Sequence, residues 1–330
     1  MLTREEFIKN PEKVFDKTYG ALSGLAIGDS FGDASRKQEN RENYAITTDF
    51  NNGASWSTDD TEFALLTAKT LIRCNGKLTS EEVVKSWLED VAVQDEFKRG
   101  GASEIEAANN LRKGLRPPLS GMYNAFHMSD GSAMRIGPIG IVCAGDPEAA
   151  AAMAETEAQI SHYRDGVWGA QAVAAAVAVA MADGTMDEIL DAAMHVIPKE
   201  SWLYYAMNHA FGLVDKADGH IFNVWMQLHD DLRTSSWATT AEAIPSAFAC
   251  LKAVHDDFRT GVVVAGNFGR DADTIGAVAG TILGARYGAG RMPEAWIEKT
   301  RFPTGTCLNF TKGIDIRDYA EKLAQIIIGA

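Results

Sequence analysis

The sequence "DADTIGAVAGTILGARYG" runs from Asp271 to Gly288 and carries glycine at every fourth position from Gly276 onward. A second segment, "GALSGLAIGDSFG" from Gly20 to Gly32, has the same spacing. Four-residue spacing places the glycines along one face of an α-helix. Each glycine in a helix interior costs about 0.5–1 kcal/mol relative to alanine, so we expect close backbone packing to compensate. The two patterns therefore predict two helices that pack on one another, or on a shared neighbour, at the centre of the domain.

Helical patterns also dominate the rest of the chain. Segments such as "SEEVVKSWLEDVA" and "DPEAAAAMAETEAQI" begin with residues typical of helix N-termini. Period-2 strand patterns of useful length are scarce. We therefore predict an all-α protein with a single domain over residues 1–330. Residues 35–56 are polar and lack helical periodicity, so we predict a long loop there and regard it as a candidate lid.

Composition and charge exclude several classes of function. The chain of 330 residues has a net charge of −14, which argues against nonspecific binding to nucleic acid or to an anionic membrane. Its four cysteines are scattered without zinc-site spacing, and its first residues lack the apolar core of a signal peptide. The longest apolar run, residues 169–182, is too short to span a bilayer. We expect a cytoplasmic protein that binds neither nucleic acid nor membranes.

Two predicted loop-to-helix transitions, "TDD" (58–60) and "DADT" (271–274), each carry two carboxylates and a hydroxyl. Oxygen ligands of this kind suit Mg²⁺, Mn²⁺ or Ca²⁺ rather than zinc. Helix capping would explain either segment alone. If the fold brings both together, four carboxylates without a cation would repel one another, so we predict a metal site there. The candidate ligands are Thr58, Asp59, Asp60, Asp271, Asp273 and Thr274.

Six motifs, in order along nearly the whole chain, resemble those of the ADP-ribosylglycohydrolases, the family that includes the dinitrogenase reductase-activating glycohydrolase. The resemblance implies a compact, all-α, orthogonal helical bundle. The motifs are "GALSGLAIGDSFGDA" (20–34), "STDDTEFAL" (57–65), "RGGASEIEAANNLRKG" (99–114), "DGSAMRIGPIG" (130–140), "ISH" (160–162), and "AEAIPSAFACL" (241–251) followed by "GRDADTIGAVAGTILGARYG" (269–288).

The resemblance also implies a site with two Mg²⁺ ions, with Mn²⁺ as the alternative, held by the six candidate ligands. Asp273 is then expected to bridge both ions, and one of the catalytic carboxylates Asp59, Asp60 and Asp273 is expected to be the general base for the attacking water. The implied substrate-binding residues are Gly100, Gly101, Ser103, Ser132, Met134 and His162.

One position departs from the family pattern. Many members carry a glutamate shortly after the opening glycine helix, as a metal ligand or acid, but here that place falls near Arg36. The candidate replacements are Asp33, Glu39 and Glu42.

The function implied is that of an Mg-dependent hydrolase. It would cleave the ribosyl N- or O-glycosidic bond of its substrate. The substrate would be an ADP-ribose conjugate, free or attached to a protein, or a related nucleoside-like compound. Cleavage develops positive charge at the anomeric carbon, which acidic groups stabilise while metal ions orient the sugar. Two alternatives stay open: a non-catalytic ADP-ribose binder or crystallin-like structural protein on the same scaffold, and an Mg-dependent phosphohydrolase. The aglycone, the anomeric configuration and the oligomeric state are also open.

Overall fold

The computed structural model describes residues 1–50, 57–254 and 257–329. These residues form nineteen α-helices and three short 3-10 helices, and no β-strand occurs among them. An isolated antiparallel bridge joins Ser129 to Thr239. The prediction of an all-α fold is confirmed.

The α-helices follow in chain order: α1 (Arg4–Ile8), α2 (Pro11–Ser35), α3 (Gln38–Tyr44), α4 (Asp59–Arg73), α5 (Ser80–Asp90), α6 (Ala102–Arg112), α7 (Leu119–Met122), α8 (Gly131–Met134), α9 (Gly137–Val142), α10 (Pro147–Ala158), α11 (Asp165–Met181), α12 (Met186–His195), α13 (Trp202–Lys216), α14 (Trp225–Leu232), α15 (Thr240–Ala253), α16 (Phe258–Gly266), α17 (Ala272–Tyr287), α18 (Glu294–Thr300) and α19 (Ile316–Gly329). The 3-10 helices are Ile221–Asn223, Ala289–Arg291 and Asn309–Thr311.

Two central helices, α2 and α17, pack antiparallel with their backbones in contact. A Cβ atom built on any of the six facing glycines would lie less than 3.0 Å from backbone atoms of the opposite helix, so no larger residue fits. Further along, Gly32 faces the backbone of Ala272. The predicted packing of the two glycine patterns on one another is confirmed. The facing pairs are Gly20–Gly284, Gly24–Gly280 and Gly28–Gly276.

The last glycine of the second pattern has a different role. Gly288 follows the final residue of α17 and has a φ of 79°, so it ends the helix, and a Cβ there would collide with the side chain of Asp16 on α2. This left-handed conformation at a helix C-terminus is readily adopted by glycine.

Residues 35–56 are not one continuous loop, so that prediction is wrong in part. Helix α3 lies within the segment, and its Gln38 donates a hydrogen bond of 2.7 Å to Glu42 one turn later. A short helix supported by polar pairs has no apolar stripe, which is why periodicity misses it. Residues 51–56 of the predicted loop lie outside the described residues.

Other helices enclose the central pair. Helix α11 is rich in alanine, buried around almost its whole circumference, and packs against α17, α10 and α12. Such a helix is typical of a protein interior. In the part of the chain that the structure describes, none of the helices has the length and apolar character needed to cross a bilayer.

We expect alanine at Gly24 to lower the free energy of unfolding by about 3 kcal/mol or more, because overpacked contacts strain the core. Its Cβ would overlap the carbonyl group of Gly280. The matched control is Gly212→Ala on α13, where a Cβ meets nothing within 4 Å. This control should gain about 0.5–1 kcal/mol, since alanine is the better helix former. Urea unfolding measures both variants, and wild-type stability of Gly24→Ala would contradict the packing.

Candidate active site

The antiparallel packing places the C-terminal end of α2 beside the N-termini of α17 and α4. Asp29 of α2 accepts hydrogen bonds from the backbone N–H groups of Thr58 (2.9 Å) and Thr61 (3.2 Å), and from the Thr58 hydroxyl (2.6 Å). The Thr58 side chain does not cap its own helix. Asp29 therefore caps α4 from a different helix and fixes Asp59 and Asp60 next to α2.

A cavity of about 370 Å³ opens where these three helices meet. Both acidic segments border it, so the predicted convergence of two distant stretches of sequence is present in the structure. A larger cavity of about 550 Å³ lies on the other side of Arg36 but contains none of the predicted site residues. The predicted residues that line the smaller cavity are Asp59, Asp60, Gly100, Gly101, Ser103, Met134, Asp271, Asp273 and Thr274.

Three of the predicted site residues lie behind the cavity wall. Thr58 is buried against Asp29, as described above. Ser132 is fully buried and donates to the carbonyl oxygen of Gly166 at 2.8 Å. His162 is also fully buried. These side chains therefore position the residues that form the wall.

His162 belongs to a chain of hydrogen bonds that leads to the cavity. Its Nε2 lies 2.9 Å from the hydroxyl of Ser129, which donates to Ser103 at 2.9 Å. Ser103 in turn donates to Glu104 at 2.7 Å. Burial, together with the positive charge of Arg135, holds the pKa of His162 well below its usual value, so the imidazole is neutral. If His162 carries its proton on Nε2, it donates to Ser129, and each hydrogen bond in this series then has one donor and one acceptor.

A fully buried arginine, Arg135, anchors this wall from inside. Its guanidinium donates to Glu104 at 3.0 Å, to Glu157 at 2.9 Å and to the Ser161 hydroxyl at 2.8 Å. It also lies 5.1 Å from the ring centre of Trp87. Glu104 lines the cavity, and its negative charge acts on Asp59. Neither Glu104 nor Arg135 is among the candidate residues predicted from the sequence, although they lie within the quoted motifs "RGGASEIEAANNLRKG" and "DGSAMRIGPIG".

Burial raises the pKa of most carboxyl groups at the site, and their mutual repulsion adds to the effect. At Asp29 the pKa rises to about 7, again chiefly through burial. Asp130, which the sequence analysis also missed, shares a side-chain hydrogen bond with Asp271. The pKa is raised well above its ordinary value at Asp59, Asp60, Asp130 and Asp271.

Arg36, near the place where the family resemblance implies a glutamate, reaches into the acidic cluster. Its two terminal nitrogens lie 2.7 and 2.6 Å from the two carboxylate oxygens of Asp273, and one of them lies 3.3 Å from Asp271. Although burial alone would lower the pKa of Arg36, the carboxylates of Asp273, Asp271 and Asp33 raise it above its ordinary value. The guanidinium is therefore a fixed positive charge at this half of the site.

Of the three candidate replacements for the missing glutamate, only Asp33 lies near the cavity. It is buried at the end of α2, where it pairs with Arg99 and Arg36. Glu39 and Glu42 are exposed on α3.

The donor set fits a divalent cation at one half of the site. Asp60 has a buried oxygen, Oδ1, with no hydrogen-bond partner among the described residues. An unpartnered buried carboxylate oxygen is what a hard cation requires as a ligand. Within residues 1–50, 57–254 and 257–329, however, no three Asp, Glu, His or Cys side chains already form a complete metal-binding group. The two-ion site therefore stays a prediction.

Comparison with known proteins identifies the family. The ADP-ribosylglycohydrolase family model matches residues 10–329, so the chain belongs to this family. An ADP-ribosylarginine hydrolase from Pseudomonas putida is 27% identical over 302 residues, covering 88% of this chain and 75% of that protein. The ADP-ribosyl-[dinitrogen reductase] glycohydrolase of Rhodospirillum rubrum is 24% identical over 307 residues, covering 87% of this chain and 90% of that protein.

The solved structures support the same fold. The chain of an ADP-ribosylglycohydrolase-related protein complex superposes with a TM-score of 0.66 at 20% identity, covering 96% of this chain and 99% of that one. The predicted family and fold type are confirmed. The family and its named members indicate an enzyme that cleaves ADP-ribosyl glycosidic bonds.

The raised pKa values predict how stability depends on pH in the absence of metal. A carboxyl group that keeps its proton in the folded state but loses it on unfolding makes stability fall as the pH rises between the two pKa values. For Asp29 this window runs from 3.8 to about 7. We expect Asp60→Asn, in chelator, to show a shallower fall than wild type and a higher stability at about pH 7.5, because one repelling carboxylate is gone.

Urea unfolding at several pH values in chelator measures this difference. Asp187→Asn, which removes an exposed acid on α12, is the control and should follow the wild-type curve. If Asp60→Asn is less stable than wild type throughout the pH range, the carboxylates do not repel as described.

We also expect Arg135→Met to lower the free energy of unfolding by about 3–5 kcal/mol, because it leaves buried acids without their partner. The control is Arg317→Met, which removes an exposed pair with Glu321 at 3.5 Å and should cost less than about 1 kcal/mol. Urea denaturation measures the free energy of unfolding of both variants. An equal decrease in the two would show that the buried Arg135 contacts stabilise the fold no more than an exposed ion pair does.

Proposed function

We propose that the protein is an Mg²⁺-dependent hydrolase of the ribosyl N- or O-glycosidic bond in ADP-ribose conjugates, free or attached to a protein, with Mn²⁺ as an alternative cofactor. One observation carries the proposal: carboxylates from the N-termini of α4 and α17 border a single cavity with a glycine-containing loop. The names of two relatives, one acting on ADP-ribosylarginine and one on ADP-ribosylated dinitrogen reductase, favour this substrate class.

The acidic half of the cavity suits the reacting sugar. Cleavage of a ribosyl bond passes through a state with positive charge spread over the anomeric carbon and ring oxygen. Asp59 and Asp60 are held in position by the Asp29 cap, so their carboxyl oxygens already border the place where that charge develops. A carboxylate of this group would accept the proton of the attacking water, and Asp273 is the third member of the predicted catalytic set.

The cofactor would be held by side chains that surround the buried oxygen of Asp60. Asp59 and Asp60 would supply carboxylate oxygens, and Asp271, Asp273 and the hydroxyls of Thr58 and Thr274 complete the predicted ligand set. When bound, Mg²⁺ supplies Lewis-acid stabilisation of negative oxygen and orients the ribose hydroxyls.

The other half of the cavity suits the diphosphate and the base. Gly100 and Gly101 precede α6, whose N-terminus opens on the cavity. Helix N-termini present N–H groups that bind phosphate without a need for basic side chains. A Cβ at Gly101 would collide with the carboxylate of Glu104, so a larger residue there would displace that side chain from its place at the cavity. Phe126 and Trp237 line the same cavity and are 50% and 57% exposed, which leaves their rings free to stack on a nucleobase.

A substrate panel tests the proposal. ADP-ribosyl-arginine, ADP-ribosyl-serine, O-acetyl-ADP-ribose and free nucleosides would be assayed with Mg²⁺, with Mn²⁺ and with chelator. We expect release of intact ADP-ribose from at least one conjugate, and only when metal is present. Phosphate release from ADP-ribose would instead indicate a phosphohydrolase. Binding without turnover of any compound would indicate a non-catalytic binder.

Substitutions test the assigned carboxylates. Asp59→Asn and Asp273→Asn are each expected to lower kcat/KM about a hundredfold or more, because charge stabilisation in the transition state is lost. Circular dichroism should show that the fold is retained. Asp187→Asn is again the control and should keep wild-type activity. Full activity in either site variant would refute its role.

A further inference from the structure

The acidic site is asymmetric in how its negative charge is compensated. At the α17 half, the Arg36 guanidinium meets both oxygens of Asp273 at 2.7 and 2.6 Å and also contacts Asp271 at 3.3 Å. Two parallel N–H···O bonds between a guanidinium and a carboxylate are among the strongest ion-pair geometries in proteins. This half of the site therefore already contains a cation that belongs to the chain.

The neighbouring cations pair with other acids. Arg99 and Lys37 pair with Asp33. Arg135 pairs with Glu104 and Glu157 behind the wall. Among the described residues, no lysine or arginine forms an ion pair with the acids at the start of α4.

Two buried carboxyl oxygens that border the cavity have no hydrogen-bond partner among the described residues: Oδ2 of Asp130, whose carboxyl group shares a hydrogen bond with Asp271, and Oδ1 of Asp60 at the α4 half. Oδ2 of Asp60 accepts the Thr58 hydroxyl at 3.1 Å, but Oδ1 is buried with no hydrogen-bond partner in the described residues. Asp59 lies beside it on the cavity surface. A buried carboxyl oxygen without a hydrogen-bond partner or a cation is costly, so a bound ion at this point would stabilise the site.

We propose that this protein holds one divalent cation, at the Asp59–Asp60 half, and that the Arg36 guanidinium takes the place of the second ion. The inference rests on the proposed function, which supplies the metal requirement, and goes beyond it by setting the number of ions. A glutamate at this place would add an oxygen ligand. An arginine offers only donors, stays charged, and occupies both oxygens of Asp273.

Arg36 is also held where it is by the fold. It follows the last residue of α2, and the glycine face of that helix packs directly against the backbone of α17. Asp33, one turn earlier, contacts the same guanidinium at 3.3 Å. A second ion at Asp273 would have to break the two-bond contact and would lie next to a positive charge, so loading a pair of ions is disfavoured.

Metal stoichiometry tests the inference without any assay of activity. Metal-free protein would be titrated with Mn²⁺ alone, by calorimetry and by electron paramagnetic resonance. We expect wild type to bind one Mn²⁺ per chain with the spectrum of an isolated ion. Arg36→Gln and Arg36→Glu should each bind two, and Arg36→Glu should show the spectrum of an exchange-coupled pair. Lys37→Gln, which removes a neighbouring positive charge that pairs with Asp33, should bind one like wild type.

The outcomes separate this inference from the proposed function. Two ions in wild type, or one ion in both Arg36 variants, would overturn the inference and leave metal-dependent hydrolysis intact. One ion in wild type without turnover of any conjugate would overturn the function and leave the inference. An absence of Mn²⁺ binding in wild type would overturn both. If the Arg36 variants fold poorly, the wild-type spectrum alone decides, since a coupled pair there contradicts the replacement.

Discussion

Close contact between the backbones of α2 and α17 is the constraint on which the rest of the structure depends. Glycine on both helices lets the axes approach so closely that a single Cβ atom would overlap the opposite backbone. Because the helices are antiparallel, the end of one lies at the start of the other. The fold thereby places Asp29, Asp33 and Arg36 beside Asp271 and Asp273, although more than two hundred residues separate them in the chain.

This arrangement concentrates buried negative charge, and the structure compensates for it in several ways. Asp29 is satisfied by the N-terminus of α4, and Glu104 by the buried guanidinium of Arg135. Asp273 is satisfied by Arg36. Asp60 keeps an oxygen without a partner among the described residues. Charge that remains uncompensated in a buried cleft is typical of a functional site, where stability is exchanged for binding and catalysis.

The position of Arg36 shows how one side chain on a packed scaffold can set the electrostatics of a site. The family model matches residues 10–329, which include the helices α2 and α17 and both acidic segments. A basic side chain at the end of α2 nevertheless reverses the charge that the resemblance implies there. Since the backbone around it is fixed by packing, such a substitution alters the electrostatics of the cleft without altering the fold.

The sequence by itself determined the helical class, the two glycine patterns and both acidic segments, because these depend on local spacing and residue type; that the glycine faces meet one another was decided by the tertiary structure. It did not reveal the cap that Asp29 provides to α4, the Arg135 network, or the burial of Ser132 and His162 behind the wall. It placed Arg36 at the missing glutamate but could not show which carboxylates it would meet. Those features depend on distances between segments far apart in the chain, which no local periodicity encodes. Only the packed tertiary structure sets which charges become neighbours and how deeply they are buried.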